Sequence, residues 1–273
     1  MDKIDLKILR LLQQRTELSR QIGETKRRHR AVIYVPERER ALMTRLVNQA
    51  NGMLPERAVR SIYREIISSS RAAQGQAPIG VLRSSAATVL LPGRWCFGDC
   101  DEFRSISGWS AMASSLEKGT LAVGLLSSEE LADVLANPKG MASFLARFQI
   151  AGDFAVTATP GKKPLAGRIF IIMPRCDGVE TEVNRLVILM ECKSTVNAVK
   201  RLTHLMSARF TSIEQMSFHP RSAHPGSMAL VRLALAKSLG GAEVINLLQA
   251  AAGKINLPVF LLGAYPGIES YGG

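Results

Sequence analysis

The sequence predicts a multidomain chain, with an all-α three-helix domain first, an α/β region after it and an α+β unit at the end. Three observations predict this. Residues 1–75 carry apolar positions at helical spacing, punctuated by Pro36 and Pro55. A QGQAP stretch at 74–78 then reads as a linker. Beyond it, short β-type runs alternate with helical stretches, the texture of α/β proteins. The expected boundaries are 1–75, 79–183 and 184–273.

The first helix is expected over 2–28, where Ile4, Ile8, Leu11, Leu18 and Ile22 recur at intervals of three, four or seven. Lys26, Arg27, Arg28 and Arg30 gather near its end, where cations complement the helix dipole. Pro36 suits the first turn of a second helix, with Glu37 and Glu39 favourable beside its N-terminus. That helix is expected to run to about residue 50 and stop near Asn51-Gly52. A third starts at Pro55 and spans about 55–74, with Val59, Ile62, Ile66 and Ile67 as its apolar stripe.

From residue 79, IGVL, ATVLL, TLAVGLL, FAVTAT and RIFIIM read as strands, and SEELADVLA and GMASFLARF as helices. From about 185 the order is LVILMEC (strand), TVNAVKRLTHLMSA (helix), FTSIEQMSF (strand), MALVRLALA (strand), AEVINLLQAAAG (helix) and PVFLLGAY (strand). That β-α-β-β-α-β order is the ferredoxin-like pattern.

Composition narrows the function classes. The 273 residues are 47% hydrophobic with a formal net charge of +12, which favours an anionic partner. Residues 1–75 hold sixteen Lys/Arg against eight Asp/Glu, so most of the excess lies there. The arginines lack interleaved aromatics or a nucleic-acid-binding module, so nucleic acid is not the expected partner. No run of eighteen apolar residues exists, and MDKIDLKILR lacks the pattern of a signal peptide. The expectation is a cytoplasmic protein without a membrane span. Cys96 and Cys100 form a Cys-x3-Cys pair with no second pair, and Cys176 and Cys192 stand apart. His219 and His224 are separated by PRSA. Reduced thiols and no metal are expected.

The informative feature is where polar residues fall. Continuing the first helix's stripe leads from Ile4, Ile8 and Leu11 to Arg15, and from Leu18 and Ile22 to Lys26. Eleven residues at about 100° each return within roughly 20° of one direction, so both cations lie on the seam expected to be buried. A buried charge without a partner costs several kcal/mol, so such cations need an anion or must reach water. The third helix's stripe runs on into Ser70 and Gln74, and on the second helix Glu39 shares a face with Leu42 and Leu46. Long cations can snorkel to solvent, and a Ser or Gln near a helix end is common. Five polar residues on the seams of three consecutive helices favour a shared polar pocket over five separate accidents. Arg27, Arg28, Arg30, Arg40 and Arg45 read as an ordinary solvated face.

These residues carry a resemblance. Residues 4–74 resemble the all-helical chorismate mutases through IDLKILRLLQQRTELSRQIGETK, VIYVPERE and IYREIISSSRAAQ. The shared pattern is R-x10-K, then P-x-R-E, then S-x3-Q at the end of a third helix. The resemblance implies conversion of chorismate to prephenate by a pericyclic rearrangement, with no cofactor and no covalent intermediate. It implies that Arg15 grips a substrate carboxylate and Ser70 contacts one. It further implies that Lys26 and Gln74 donate to the ether oxygen, that Glu39 binds the ring hydroxyl and that Arg38 lines the pocket electrostatically. A homodimer is also implied. Two departures are expected to matter. The family places another arginine seven residues before the position of Asp5, which here falls before Met1, so either the start is misassigned or one carboxylate clamp is gone. Val35 stands where some members carry an acid.

The remainder resembles a prephenate dehydratase region followed by an ACT domain, an order of fusion found in this family. The resemblance rests on SGWSAMASSLEKGTLAVGLLSSEELADVLANPKGMASFLARFQIAGDF, LAGRIFIIM, FTSIEQMSF and PVFLLGAYP. The dehydratase motifs look reduced. Gly167 takes the threonine position of a Thr-Arg-Phe motif and leaves Arg168, LLSSEE at 125–130 replaces Pro-x-Glu-Asn, and the stretch is about half the length of a two-lobed dehydratase. Thr195-Val196-Asn197 and Glu214-Gln215-Met216-Ser217 stand where ACT effector motifs belong. The leading expectation is a chorismate mutase with a dehydratase-inactive C-terminal part. The alternatives are a bifunctional chorismate mutase/prephenate dehydratase and a non-catalytic regulatory protein.

Overall fold

The structure, a computed structural model, describes residues 1–29, 31–155, 167–175, 182–192, 195–206, 210–218 and 227–266. Arg30, Cys176, His219 and His224 lie outside the described residues. The chain divides into two compact units, Met1–Gly124 and Leu125–Gly273.

The first unit opens with α1 (Asp2–Arg28), α2 (Pro36–Gln49) and α3 (Glu56–Gln74). The cues in the sequence explain the ends. Pro36 occupies the first turn of α2, where its missing N–H costs nothing. Gly75 closes α3 in the left-handed region at φ 79°, and Gly75 N–H and Gln76 N–H bond to Ala72 O and Arg71 O, a Schellman ending. Because the helix stops there, Gln74 stands on its last turn.

The face that α1 turns to α3 is not the apolar stripe that the sequence suggested. Ser19 and Gly23 are its buried residues, and Leu12, Arg15, Thr16 and Lys26 are half-buried beside them. Ile4, Ile8, Leu11, Leu18 and Ile22 are exposed, Leu11 at 63%. The expectation of a buried 4–8–11–18–22 seam is therefore corrected for the single chain. The small residues at 19 and 23 let the two helices approach closely, and the larger aliphatic side chains are turned away. Arg15 and Lys26 lie at the border of the two faces. A second correction concerns Arg40, which is half-buried with an enclosed Nε, whereas Arg27, Arg28 and Arg45 are exposed as expected.

The first unit continues through β1 (Ile79–Leu82), α4 (Ala86–Phe97), β2 (Phe103–Ile106) and α5 (Trp109–Glu117). β1 and β2 pair in parallel from Ile79↔Phe103 to Leu82↔Ile106. ATVLL, expected as a strand, is the first half of α4. Its buried residues Val89, Gly93 and Phe97 recur every four, a period that a five-residue apolar run is too short to display.

Strand β3 (Val123–Ser127) carries the chain into the second unit, which holds α6 (Ser128–Ala136), α7 (Pro138–Arg147), β4 (Phe148–Ala155) and β5 (Arg168–Pro174). Ser127 and Glu130 form a reciprocal capping box at the start of α6, and the Asn137 side chain accepts from Lys139 N–H and Gly140 N–H at the start of α7. β4 and β5 pair antiparallel.

Then follow β6 (Glu182–Cys192), α8 (Thr195–Leu205), β7 (Phe210–Phe218), β8 (Ser227–Gly240), α9 (Gly241–Ile255) and β9 (Val259–Tyr265). The β-α-β-β-α-β order is present, and the four strands lie in the order β7-β8-β6-β9, every neighbouring pair antiparallel. Leu186, Ile188 and Met190 of β6 and Val231 and Leu233 of β8 form a core with Leu202 of α8 and Val244 and Leu248 of α9. Alternate β6 residues point to the helices, as a period of two requires.

Candidate active site

The α1–α3 crossing brings together three of the polar residues that the sequence singled out, Arg15, Ser70 and Gln74. Arg15 Nη1 donates to the Ile66 carbonyl at 3.1 Å, and Ser70 Oγ donates to the same carbonyl at 2.9 Å. Arg15 and Ser70 thus share one acceptor on α3. Gln74 Nε2 donates to Ser70 O at 3.1 Å, while its Oε1 is enclosed and has no hydrogen-bond partner. Such an orphaned amide oxygen is costly unless a ligand or a half-turn of the amide uses it. The main chain of Gln74 runs against Gly23, three residues before Lys26.

Lys26 Nζ donates to Ile33 O at 3.1 Å, across the turn that links α1 to α2. Burial holds its ammonium below the ordinary value, the nearby Arg38 guanidinium lowers it further, and Glu39 opposes both. Burial likewise lowers Arg15. Glu39 is half-buried, and burial pushes its carboxyl up against the pull of Arg71. Arg38 is exposed and reaches the group through its field. Lys26, Arg38 and Glu39 therefore interact electrostatically, and Arg15, Ser70 and Gln74 are tied through α3. Val35 is half-buried at the N-cap of α2. The arrangement offers cations and an amide to an anion, with one carboxylate as acceptor.

Sequence reasoning missed Arg71. It stands in the last turn of α3, yet its side chain is only 4% exposed. Its Nη1 meets Glu39 Oε2 at 2.6 Å and its Nη2 meets Asp101 Oδ2 at 2.6 Å, with the rings of Tyr34 and Phe97 each 5.7 Å from its guanidinium carbon. Burial would lower Arg71, but Glu39 and Asp101 raise it above the ordinary value. Asp101 lies thirty residues on, so no local pattern could pair the two.

Residues 1–75 match the family model of chorismate mutase type II. The three-helix segment is a chorismate mutase domain. A bifunctional chorismate mutase/prephenate dehydratase of Aquifex aeolicus (strain VF5) is 42% identical over 73 residues, 25% of this chain and 20% of that protein. Another of that description, from Neisseria gonorrhoeae (strain ATCC 700825 / FA 1090), is 37% identical over 82 residues, 30% of this chain and 22% of that protein. The chain spans about a fifth of the length of these curated relatives. Among solved structures, the prephenate dehydratase of Streptococcus mutans aligns with a TM-score of 0.46 at 10% identity, covering 71% of this chain and 100% of that one. Among the described residues no helix is long and apolar enough to cross a membrane.

Arg168, left standing from the Thr-Arg-Phe pattern, is engaged inside the second unit. It pairs with Asp153 and with both oxygens of Glu214. Arg232 also pairs with Asp153 at 2.9 Å and Glu214 at 3.2 Å, and Tyr265 Oη donates to Asp153 at 2.7 Å. Gly167, at the threonine position, has φ 89°, a backbone state that a threonine would adopt only under strain.

Proposed function

We propose that the chain converts chorismate to prephenate in the phenylalanine and tyrosine pathway, at a site formed in residues 1–75 and without a cofactor. The observation that carries this reading is the meeting of Arg15, Ser70 and Gln74 along the α1–α3 crossing of a chorismate mutase type II domain, with Lys26 one turn beyond the Gly23 that packs against Gln74. The substrate is a dianion, and its transition state gathers partial negative charge on the breaking ether oxygen. Arg15 and Ser70 hold a carboxylate. Lys26 and the Gln74 amide donate to the ether oxygen, Glu39 accepts from the ring hydroxyl, and Arg38 adds positive potential. Donors fixed before the reaction stabilise developing charge without reorganising, and holding the compact conformer removes entropy from the barrier.

The working form is a homodimer. The first ten residues of α1, Asp2 to Leu11, are all exposed, and an unsupported amphipathic helix end is marginal in water. A second copy covering Ile4, Ile8 and Leu11 would bury them. Residues 79–183 are a reduced dehydratase-like region and 184–273 an ACT-like domain. Dehydratase turnover is absent in this reading, supported by Gly167 and by the engagement of Arg168 with Asp153 and Glu214. The names of the two curated relatives favour a second reading, in which both steps are retained.

Purified full-length protein given chorismate tests both. Accumulating prephenate without phenylpyruvate supports the first reading, phenylpyruvate supports the second, and unconsumed chorismate removes both.

A further inference from the structure

Arg71 and Asp101 have no part in the chemistry above, yet they form the most completely enclosed charge pair of the first unit. Arg71 stands one residue after Ser70 and three before Gln74 on α3. Its Nε and Nη2 face the two oxygens of Asp101 at 3.3 and 2.6 Å, and Nη2 also donates to Phe97 O. Nη1 is left for Glu39 at 2.6 Å. Asp101 is itself fixed, accepting from Ser68 Oγ at 2.8 Å and Gln76 Nε2 at 2.9 Å, and Ser68 Oγ in turn accepts from Cys100 N–H at 3.1 Å. The Tyr34 and Phe97 rings, with centroids 5.3 Å apart, both pack against the guanidinium.

We propose that Arg71 is a positioning residue for the Glu39 carboxylate and that Asp101, which lies beyond the matched residues 1–75, sets the orientation of Arg71. The segment after the helical domain thereby completes that domain's site. This rests on the reading of Glu39 as the acceptor of a substrate hydroxyl.

A guanidinium gripped by two oxygens of one carboxylate has its plane fixed, so its remaining nitrogen points in one direction. Glu39 is held there by Oε2, and a ligand hydroxyl would be taken by Oε1. A surface ion pair would not fix an acceptor in this way, because solvent would compete for it. Glu39 and Asp101 share the one guanidinium, and Arg71 and Asp101 act on Glu39 with opposite sign. Arg71 favours its ionised form and Asp101 disfavours it. The other charged groups that reach Glu39 are Lys26 from α1 and its neighbour Arg38 on α2, and the Tyr34 hydroxyl, beside Cys96 of α4, faces the same carboxylate.

The opposite signs give the test. In full-length protein with carboxyl-labelled glutamate, the Glu39 carbon signal, assigned through Glu39→Gln, is followed by NMR against pH in wild type, Arg71→Gln and Asp101→Asn. The Glu39 midpoint is expected to rise in Arg71→Gln and, because Arg71 loses the carboxylate that orients it toward Glu39, to rise in Asp101→Asn as well, and the acid limb of kcat/KM for chorismate is expected to move with it. A midpoint unmoved in Arg71→Gln, or one that stays or falls in Asp101→Asn as loss of the Asp101 charge alone would make it, overturns the proposal. If Arg71→Gln fails to fold, the Asp101→Asn shift decides alone, since general loosening and loss of the Asp101 charge would both lower a midpoint that burial has raised, and only loss of the Arg71 grip would raise it. Rises in both variants of a protein that leaves chorismate untouched would keep the coupling and remove only the assigned reaction.

Discussion

Gly23 and Gln74 meet backbone to backbone, and a Cβ placed on Gly23 would lie 2.5 Å from the Gln74 carbonyl oxygen and 2.6 Å from its Cα. No side chain can yield there, because the clashing atoms are main chain. Gly23→Ala must push α1 away from the last turn of α3. Overpacking of this kind costs about 1–3 kcal/mol, which a thermal melt of the variant would register. Because Lys26 follows one turn later, chorismate turnover is expected to fall more than stability alone explains. Wild-type kcat in a Gly23→Ala protein with a lowered Tm would separate the crossing from the site.

At the proposed site, Lys26→Ala and Gln74→Ala would each remove a donor aimed at charge that develops only in the transition state. Loss of one such donor costs about 10²–10³ in kcat. Both variants are expected in that range with smaller changes in KM, measured by chorismate consumption. Normal turnover in both would remove the site assignment.

The pH dependence follows from two opposed shifts. Burial holds the Glu39 carboxyl above its ordinary value of 4.5, so its ionised form is lost as pH falls through a value above 4.5. Burial and Arg38 hold the Lys26 ammonium below 10.5, so its proton is lost as pH rises through a value below 10.5. A bell-shaped kcat/KM profile is expected, narrower on both sides than unperturbed groups would give. The linked stability changes have definite signs. The folded chain holds the Glu39 proton more tightly than the unfolded chain, so stability falls as pH rises from 4.5 through the folded value. For Lys26 the unfolded chain holds the proton more tightly, so stability rises between the folded value and 10.5. A Glu39→Gln protein should lose the acid limb's displacement together with most activity.

The exposed face of α1 predicts a change of assembly. Ile8→Glu or Leu11→Glu would place a charge where the second copy is expected to pack. Sedimentation should show a dimer for wild type and a monomer for the variants, and a wild-type monomer would contradict the proposed assembly.

Much of this was legible in the sequence, and the boundary of legibility is physical. The three helices were readable because Pro36, Pro55 and Gly75 punctuate strong 3.6-residue patterns, and FTSIEQMSF was readable because it coincides with a whole strand, Phe210–Phe218. Lys26, Ser70 and Gln74 stood out because polar residues broke an apolar stripe. ATVLL misled because a five-residue run of this kind fits a strand or a helix equally well. The orientation of α1 was hidden because periodicity names an apolar face without saying whether this chain or a second copy covers it. Arg71 was hidden because its partners, Glu39 and Asp101, lie 32 and 30 residues away.

The second unit carries the last prediction. Asp153 has a side chain only 1% exposed and faces Arg168, Arg232 and the Tyr265 hydroxyl. Arg232 is itself only 6% exposed, so removal of Asp153 leaves it with Glu214 alone to balance it, while Arg168 competes for the same carboxylate. Breaking a buried pair from one side costs about 3–5 kcal/mol, because the surviving charge stays desolvated. Asp153→Ala is therefore expected to destabilise the chain by about that amount in denaturant melts. Tyr265→Phe removes one donor and leaves every charge paired, so it should cost only about 1 kcal/mol. Burial comes first in raising the Tyr265 hydroxyl well above the ordinary value, with the Asp153 charge next, so the phenol stays a donor throughout the range in which the protein is handled. Equal losses in the two variants would mean that the hydroxyl, and not the ion cluster, holds β9 against β4.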